Sequence, residues 1–326
     1  MRELQDGRAR LVTPAGAAPA WVWEVPEPAV AGRADVRTLL LLHGWMANAG
    51  LNWGHTFGYL GRSFRVVAPN LRGHGHGGLG SPPFSLAGCA DDLAALIDEL
   101  GLERPIAVGY SMGGAVAQVL ALRHGPRLGG VVLCATGPHF ARRVKLRPAV
   151  RVVGGALAGA ARAQPAWATR VLEWRLQRHD LAMARRGRGD AAAPADGADV
   201  RPGPTPLEVA AAASADGAAP AGRMPDRQAA FEERRLSHLA AFIESGVELN
   251  AYDSTEWLPA LRVPAAVVVT SRDRIVPPWR QESLAALIPG ARRYVVDAGH
   301  DAVVTDAAAF LPVLVRACTD LAASGE

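Results

Sequence analysis

The fold follows most directly from the segment GYSMGG, which runs from Gly109 to Gly114. An apolar run at residues 105–108 precedes it, and a second apolar run follows it as far as Leu122. This order predicts a buried strand, a tight turn and a helix, with Ser111 at the apex of the turn. Glycines flank the serine at a place where the strand and the helix come too close for a Cβ atom. The segment is therefore typical of a nucleophile elbow, a turn that lifts a serine hydroxyl clear of the sheet.

A serine hydroxyl becomes a good nucleophile when a histidine takes its proton and a carboxylate orients that histidine. In this setting the acid and then the histidine are expected later in the chain. Asp273 follows a β-branched apolar run at residues 264–270, and His300 follows the next such run, at residues 292–296. Both lie just past the carboxyl ends of predicted parallel strands, the edge at which α/β sheets carry their chemistry. We predict that Ser111, Asp273 and His300 form a catalytic set.

Each of these residues also has a structural interpretation. Asp273 could cap a turn or a helix, as loop aspartates often do, and His300 could be an ordinary surface histidine. Asp301 is a second candidate for the acid and also suits the N-cap of the last helix. We prefer Asp273 because it closes a strand, whereas a residue adjacent to the histidine would point elsewhere.

The loop HGWM, which follows a predicted strand at residues 37–42, is the candidate for the oxyanion hole. In a nucleophile-elbow architecture one amide comes from the residue after the serine, here Met112. The other comes from the loop after the third strand, here Trp45. Gly44 is expected to let the loop turn its amide inward. His43 precedes the serine in the chain, and we interpret it as a structural residue that holds the loop by hydrogen bonds.

Together these motifs resemble the α/β-hydrolase superfamily, which includes carboxylesterases, lipases and cofactor-free haloperoxidases. The resemblance covers about residues 10–137 and 250–320. It implies that Ser111 is the nucleophile, Asp273 the acid and His300 the base, with the amides of Trp45 and Met112 as oxyanion donors. The implied activity is hydrolysis of carboxylic esters through an acyl-enzyme.

Other activities occur on the same scaffold and remain open. They are cleavage of C–C bonds, lactones or thioesters, formation of peracids, and service as a ligand receptor with slow turnover. A serine at position 111 excludes the dehalogenases and epoxide hydrolases of this fold, which use an aspartate nucleophile.

Alternating strand-like and helix-like runs predict an α/β class, with an eight-stranded, mostly parallel sheet and helices on both faces. The first two strands, at residues 9–13 and 20–25, are expected to form an antiparallel edge. The alternation stops between residues 138 and 249, which is too long for a crossover. We therefore predict a core at residues 1–137 and 250–326 with a helical cap inserted between them.

The predicted cap contains two amphipathic segments, at residues 170–176 and 231–243. Between them, residues 187–221 are rich in Ala, Gly, Pro and Asp and contain few large apolar side chains. Such a segment buries too little surface to offset its ordering entropy, so we predict a flexible loop. A mobile lid over the site is the functional alternative.

Apolar side chains indicate the character of the pocket. Met46, Phe140 and Trp174 are its candidate lining, beside Trp45 and Met112. Such a lining favours a small, uncharged acyl or aryl ester over a phosphorylated substrate. Each of these residues could equally be part of the core.

Composition excludes several classes of protein. The 326 residues carry a formal net charge of +4, and the basic residues form no stripe interleaved with aromatics, so no nucleic-acid partner is expected. The three cysteines are widely spaced, which favours a reducing, cytoplasmic compartment. The sequence contains no recognisable signal peptide or transmembrane segment. The oligomeric state is left open.

His74 and His76 are separated by one residue, which can indicate a metal site. Without a carboxylate or a cysteine nearby the signal is weak, and we expect neither a metal nor another cofactor.

Overall fold

The computed structural model describes residues 8–25, 37–75, 83–140, 147–163 and 239–323. Within these ranges eight strands form one sheet: β1 (Arg8–Val12), β2 (Ala20–Val25), β3 (Thr38–Leu42), β4 (Arg65–Pro69), β5 (Ile106–Tyr110), β6 (Gly130–Cys134), β7 (Ala265–Thr270) and β8 (Arg292–Val296). Their spatial order is β1-β2-β4-β3-β5-β6-β7-β8. β2 is antiparallel to both of its neighbours, and every later pair is parallel. The predicted α/β sheet with an antiparallel edge is confirmed.

Helices connect the strands on both faces of the sheet. Numbered over the described residues, they are α1 (Ala49–Trp53), α2 (Phe57–Leu60), α3 (Leu86–Glu99), α4 (Met112–His124), α5 (Arg147–Ala163), α6 (Leu239–Ala251), α7 (Pro278–Leu287), α8 (Ala302–Thr305) and α9 (Ala307–Ala322). A short 3₁₀ turn at Gly54–Thr56 joins α1 to α2.

Alternating side chains along the strands build a core on each face of the sheet. In β3, Leu40 and Leu42 pack in the core that contains α3 and α4. Leu39 and Leu41 pack on the opposite face, in the core that contains α1 and α9. All four leucines are fully buried. A strand that is covered on both faces needs such a continuous apolar run, and this burial fixes the loops at its ends.

The alternation of strands and helices is interrupted after β6. In this region α5 and α6 pack against each other. The chain returns to the core beside the point where it leaves. At this point the Ser254 N–H donates to the Pro138 carbonyl at 2.8 Å. The hydroxyls of Ser254 and Tyr252 both donate to Oε1 of Gln118 in α4. Both ends of the interruption are thus fixed to the helix that begins beside Ser111.

Parts of the predicted cap lie outside the described residues, namely the helix at 170–176, the loop at 187–221 and the first half of the helix predicted at 231–243. The rest of that last helix belongs to α6. The division into a core and a cap stays a prediction. Where the chain is described, no helix is both long enough and apolar enough to cross a membrane.

Candidate active site

The segment around Ser111 forms a sharp turn between β5 and α4. Ser111 has φ +52° and ψ −112°, a backbone conformation that side-chain-bearing residues rarely adopt. A Cβ on Gly109 would lie 2.4 Å from the Gly113 carbonyl oxygen, and one on Gly113 would lie 2.2 Å from the Leu42 carbonyl oxygen. The two glycines are therefore required by close backbone approach, as expected from the sequence.

Hydrogen bonds hold this turn on the neighbouring strand. The Ser111 N–H donates to the Cys134 carbonyl at the end of β6, at 2.9 Å. Met112 is the first residue of α4, where helical N–H groups lack partners within their own helix. The positive end of the α4 dipole therefore lies at the serine, which favours a negative charge there.

The three residues of the predicted catalytic set lie in one chain of hydrogen bonds. Nε2 of His300 is 3.0 Å from Oγ of Ser111, and Nδ1 of His300 is 2.7 Å from Oδ2 of Asp273. The Asp273 side chain is fully buried, and that of His300 is 16% exposed. Since a carboxylate only accepts, Nδ1 carries the proton and Nε2 is left to accept from the serine hydroxyl.

Four donors besides His300 hold the Asp273 carboxylate. Oδ1 accepts from the N–H groups of Ile275 and Val276, at 2.8 and 2.9 Å. Oδ2 accepts from the Thr270 hydroxyl at 3.0 Å and from the Gln281 amide at 3.2 Å, in addition to His300. The carboxylate therefore has a single orientation in which one oxygen faces the imidazole.

Sequence reasoning did not identify Thr270 and Gln281. Thr270 ends β7, and its position three residues before the acid is a local signal for such a bond. Gln281 lies in α7, eight residues after Asp273, and nothing in the sequence around it distinguishes it from a surface glutamine. Asp301, the alternative acid, is exposed and precedes α8, whereas Asp273 contacts the histidine.

The candidate oxyanion loop follows β3 and lies beside the serine. A Cβ on Gly44 would lie 3.6 Å from Cβ of Ser111, which is ordinary contact distance. The Gly44 N–H donates to Oδ1 of the buried Asn52 at 2.7 Å. Within this loop the left-handed residue is Met46, at φ +59°. The role of Gly44 in turning an amide inward stays a prediction.

His43 holds this loop, in agreement with its structural interpretation. Its Nδ1 donates to the Gly44 carbonyl at 2.9 Å, and its Nε2 accepts from the Leu71 N–H at 3.0 Å. One nitrogen donates and the other accepts, so the ring is neutral. Burial, with a smaller contribution from nearby His74, lowers the pKa of His43 to about 3.

His74 packs against the same loop, with its ring centroid 5.3 Å from that of His43. Its Nδ1 donates to the Arg72 carbonyl at 3.1 Å, and its ring lies 5.2 Å from that of Phe242 in α6. Burial lowers the pKa of His74 to about 4. His76, its partner in the weak metal signal, lies outside the described residues.

The predicted pocket residues separate into three groups. Met46 packs against Phe242, and the Trp45 indole N–H donates to the Phe242 carbonyl at 3.1 Å, so both contact α6 next to the oxyanion loop. Phe140 packs on the core, 6.0 Å from the Tyr252 ring. The Met112 side chain was expected beside the pocket lining. It is instead fully buried in the core. Trp174 lies outside the described part of the chain.

Comparison with known proteins identifies the fold family. A family model described as the alpha/beta hydrolase fold matches residues 37–307. A pimeloyl-(acyl-carrier protein) methyl ester esterase from Edwardsiella ictaluri is 37% identical over 107 residues, which are 33% of this chain and 39% of that protein. The same enzyme from Nitrosospira multiformis is 34% identical over 108 residues, 32% of this chain and 40% of that protein. The chain thus spans about two fifths of the length of these curated relatives.

Solved structures show the same fold at low sequence identity. The esterase from Exiguobacterium antarcticum superposes with a TM-score of 0.66 at 18% identity, covering 96% of this chain and 100% of that one. The enol-lactonase from Burkholderia xenovorans LB400 gives a TM-score of 0.62 at 20% identity, covering 95% of this chain and 100% of that one.

Proposed function

The chain belongs to the alpha/beta hydrolase fold family, and on this basis we propose that it is a serine hydrolase that cleaves carboxylic esters through an acyl-enzyme. The observation that carries the proposal is the chain of hydrogen bonds from Asp273 through His300 to Ser111, at a strained turn at the carboxyl edge of the sheet. The half-buried Ser111 is the nucleophile, the partly exposed His300 is its base, and the buried Asp273 orients the base.

In the first step, Nε2 of His300 removes the proton from Oγ of Ser111 as the oxygen attacks the ester carbonyl. The imidazolium that forms is stabilised by Asp273 through Nδ1–H. His300 then gives the proton to the leaving alcohol, which departs and leaves the acyl group on Ser111. In the second step His300 takes a proton from water as the water oxygen attacks the acyl-enzyme. His300 then returns that proton to Oγ of Ser111, which departs from the carbonyl carbon and releases the acid.

The amides of Trp45 and Met112 are the proposed donors to the oxyanion. The Met112 amide opens α4, so its N–H is available and is assisted by the helix dipole. Trp45 follows Gly44, at which an added Cβ would lie 3.6 Å from Cβ of Ser111. Removing one donor of this kind typically lowers kcat by about 10²–10³-fold.

The proposed substrate is a small, uncharged ester with an apolar acyl or alkyl group. Support comes from Trp45, which is 45% exposed, and from Met46 and Phe242, which lie against each other beside the oxyanion loop. The names of the two partial relatives, both methyl ester esterases, agree with ester hydrolysis but leave the substrate of this chain a proposal.

Residues 138–249 are the proposed cap over this site. The contact of α6 with Trp45, Met46 and His74 supports the placement of the insertion next to the catalytic edge. The described cysteines are all buried and free, which fits the proposed cytoplasmic setting.

Hydrolysis of a series of p-nitrophenyl esters, from acetate to palmitate, tests the proposal. Wild type, Ser111→Ala and Ser271→Ala are compared, the last being a serine at the same edge of the sheet that bonds Asp297 instead. We expect turnover to disappear in Ser111→Ala and to persist in Ser271→Ala, with the chain-length optimum reporting the depth of the pocket. Full turnover by Ser111→Ala would contradict the proposal. An inactive wild type whose Ser111 still reacts with a fluorophosphonate would redirect the search to C–C bonds, lactones, thioesters or receptor ligands.

A further inference from the structure

Tyr110 is the last residue of β5 and immediately precedes the candidate nucleophile. Its hydroxyl donates to the backbone carbonyl of His300 at 2.5 Å and accepts from the Val303 N–H at 3.5 Å. One side chain therefore contacts the loop that carries the candidate base and also the helix α8 that follows it. Tyr110, the residue before the serine, thus forms a hydrogen bond with the backbone of His300, which is 190 residues away in the sequence.

The surroundings of Tyr110 hold its ring in a single position. The residue is 3% exposed. Its ring packs edge-on against Trp53 and Phe310, with centroids 6.0 and 5.7 Å away. Burial raises the pKa of the Tyr110 hydroxyl well above its ordinary value, so the group keeps its proton and continues to donate to His300.

His55 supports α8 from the other side. A ring N–H of His55, in the 3₁₀ turn after α1, donates to the Val303 carbonyl. The Val303 N–H therefore donates to the Tyr110 hydroxyl, and the Val303 carbonyl accepts from His55. The backbone just after His300 is held between two side chains, both of which come from parts of the core that precede α4.

We propose that Tyr110 is a positioning residue, which sets the distance between the serine oxygen and the imidazole by tying the backbone of His300 to the strand that carries Ser111. This inference rests on the proposed function. Tyr110 pairs with Cys134 in the ladder between β5 and β6, and the Ser111 N–H donates to the carbonyl of the same Cys134. The backbone of Ser111 is therefore held rigidly on the sheet. Among the described residues, the His300 imidazole forms hydrogen bonds only with Asp273 and Ser111. The backbone carbonyl of His300 accepts a hydrogen bond from Tyr110.

Tyr110→Phe is the direct test, because it removes the hydroxyl and keeps the ring in place. We expect kcat for a p-nitrophenyl ester to fall by about 10–100-fold with KM changed by less than about threefold, since a small misplacement of a catalytic group affects chemistry more than binding. The rate of fluorophosphonate labelling of Ser111 should fall in parallel.

Tyr252→Phe is the matched control. Tyr252 is also buried, but its hydroxyl donates to Gln118, away from His300. We expect this variant to lose stability in a denaturant titration while keeping its kcat. Wild-type kcat in Tyr110→Phe, or an equal loss of kcat in both variants, would overturn the inference.

A second pair of variants applies if Tyr110→Phe does not fold. His55→Leu removes the bond to the Val303 carbonyl, and His55→Gln retains a donor. We expect His55→Leu to lower kcat and His55→Gln to restore part of it, and an unchanged kcat in His55→Leu would overturn the inference. A wild type that neither hydrolyses esters nor accepts the label would instead overturn the proposed function, and this inference with it.

Discussion

Ser111 has a strained backbone that the surrounding residues enforce. A non-glycine residue at φ +52° costs on the order of 1–3 kcal/mol, and such a residue persists only where its neighbours determine it. The bond of its N–H to Cys134 and the close packing of Gly113 on Leu42 supply that constraint. Ser111 is half-buried at the carboxyl edge of the sheet.

Asp273 offers the sharpest prediction for a single side chain. In Asp273→Asn an amide can donate to Nδ1 of His300, which would place the ring proton on Nε2, facing the serine. The base would then be in the wrong tautomer, and we expect kcat to fall by about 10⁴-fold with little change in fold. Steady-state kinetics with p-nitrophenyl butyrate measures this.

Asp301→Asn is the control for that substitution. Asp301 is adjacent to His300 in the chain but exposed, and it is the acid that the sequence left as an alternative. We expect wild-type kcat in this variant. The reverse pattern, with Asp301→Asn inactive and Asp273→Asn active, would contradict the assignment of the acid.

Among the elements, α6 is held in place by hydrogen bonds that two of its carboxylates accept from neighbouring segments. Glu244 accepts from the Phe84 N–H at 2.8 Å and from two N–H groups of Arg162 at 2.6 and 2.8 Å. Glu248 accepts from the Leu86 N–H at the start of α3, where the helix dipole favours a negative charge. One helix thereby joins α5, α3 and, through Trp45, the oxyanion loop.

We expect Glu244→Ala to loosen α6 selectively. Loss of hydrogen bonds to a mostly buried carboxylate should lower stability by about 1–3 kcal/mol. Hydrogen exchange should become faster in residues 239–251 while β5 stays protected. Glu282→Ala, which removes an exposed ion pair with Arg293, should cost less than about 1 kcal/mol. Unchanged exchange in α6 of the Glu244 variant would refute this fastening role.

The elements also show where sequence patterns succeed and where they stop. β3 and β7 lie within one residue of the runs that predict them, because a buried parallel strand is a short, continuous apolar run. α7 begins at Pro278, since proline suits the first helical turn. The last helix, predicted as one, is two, because Asp306 leaves the helical conformation between α8 and α9.

Over the whole molecule, the order of motifs along the chain predicted the fold and the residues that lie together at the site. What could not be predicted comes from contacts between distant segments. The contacts of Tyr110 with the His300 backbone and of Trp45 with α6 join residues whose local sequence carries no sign of the partner. Only the packing of the complete fold defines these contacts.

The buried histidines make stability depend on pH for the molecule as a whole. The folded-state pKa values of His43 and His74, about 3 and about 4, lie below the ordinary value of 6.5. Between pH 6.5 and pH 4 the unfolded chain binds more protons than the folded one, so stability falls as the pH falls. At one pKa unit per 1.4 kcal/mol, each histidine should reduce the free energy of unfolding by about 2 kcal/mol from pH 6.5 to pH 5.

Urea titrations at pH 7 and pH 5 measure this difference. We expect wild type to lose more stability between the two pH values than His74→Gln, which carries one buried imidazole fewer. Equal losses in the two proteins would mean that His74 does not remain neutral in the folded state.

The most direct single measurement is the mass of the protein after incubation with a fluorophosphonate, with the modified residue located by peptide mapping. We expect one label per chain, on Ser111, at a rate that falls steeply in His300→Ala because the hydroxyl has lost its base. No label on Ser111, or the same labelling rate without His300, would contradict the proposal that this serine is an activated nucleophile.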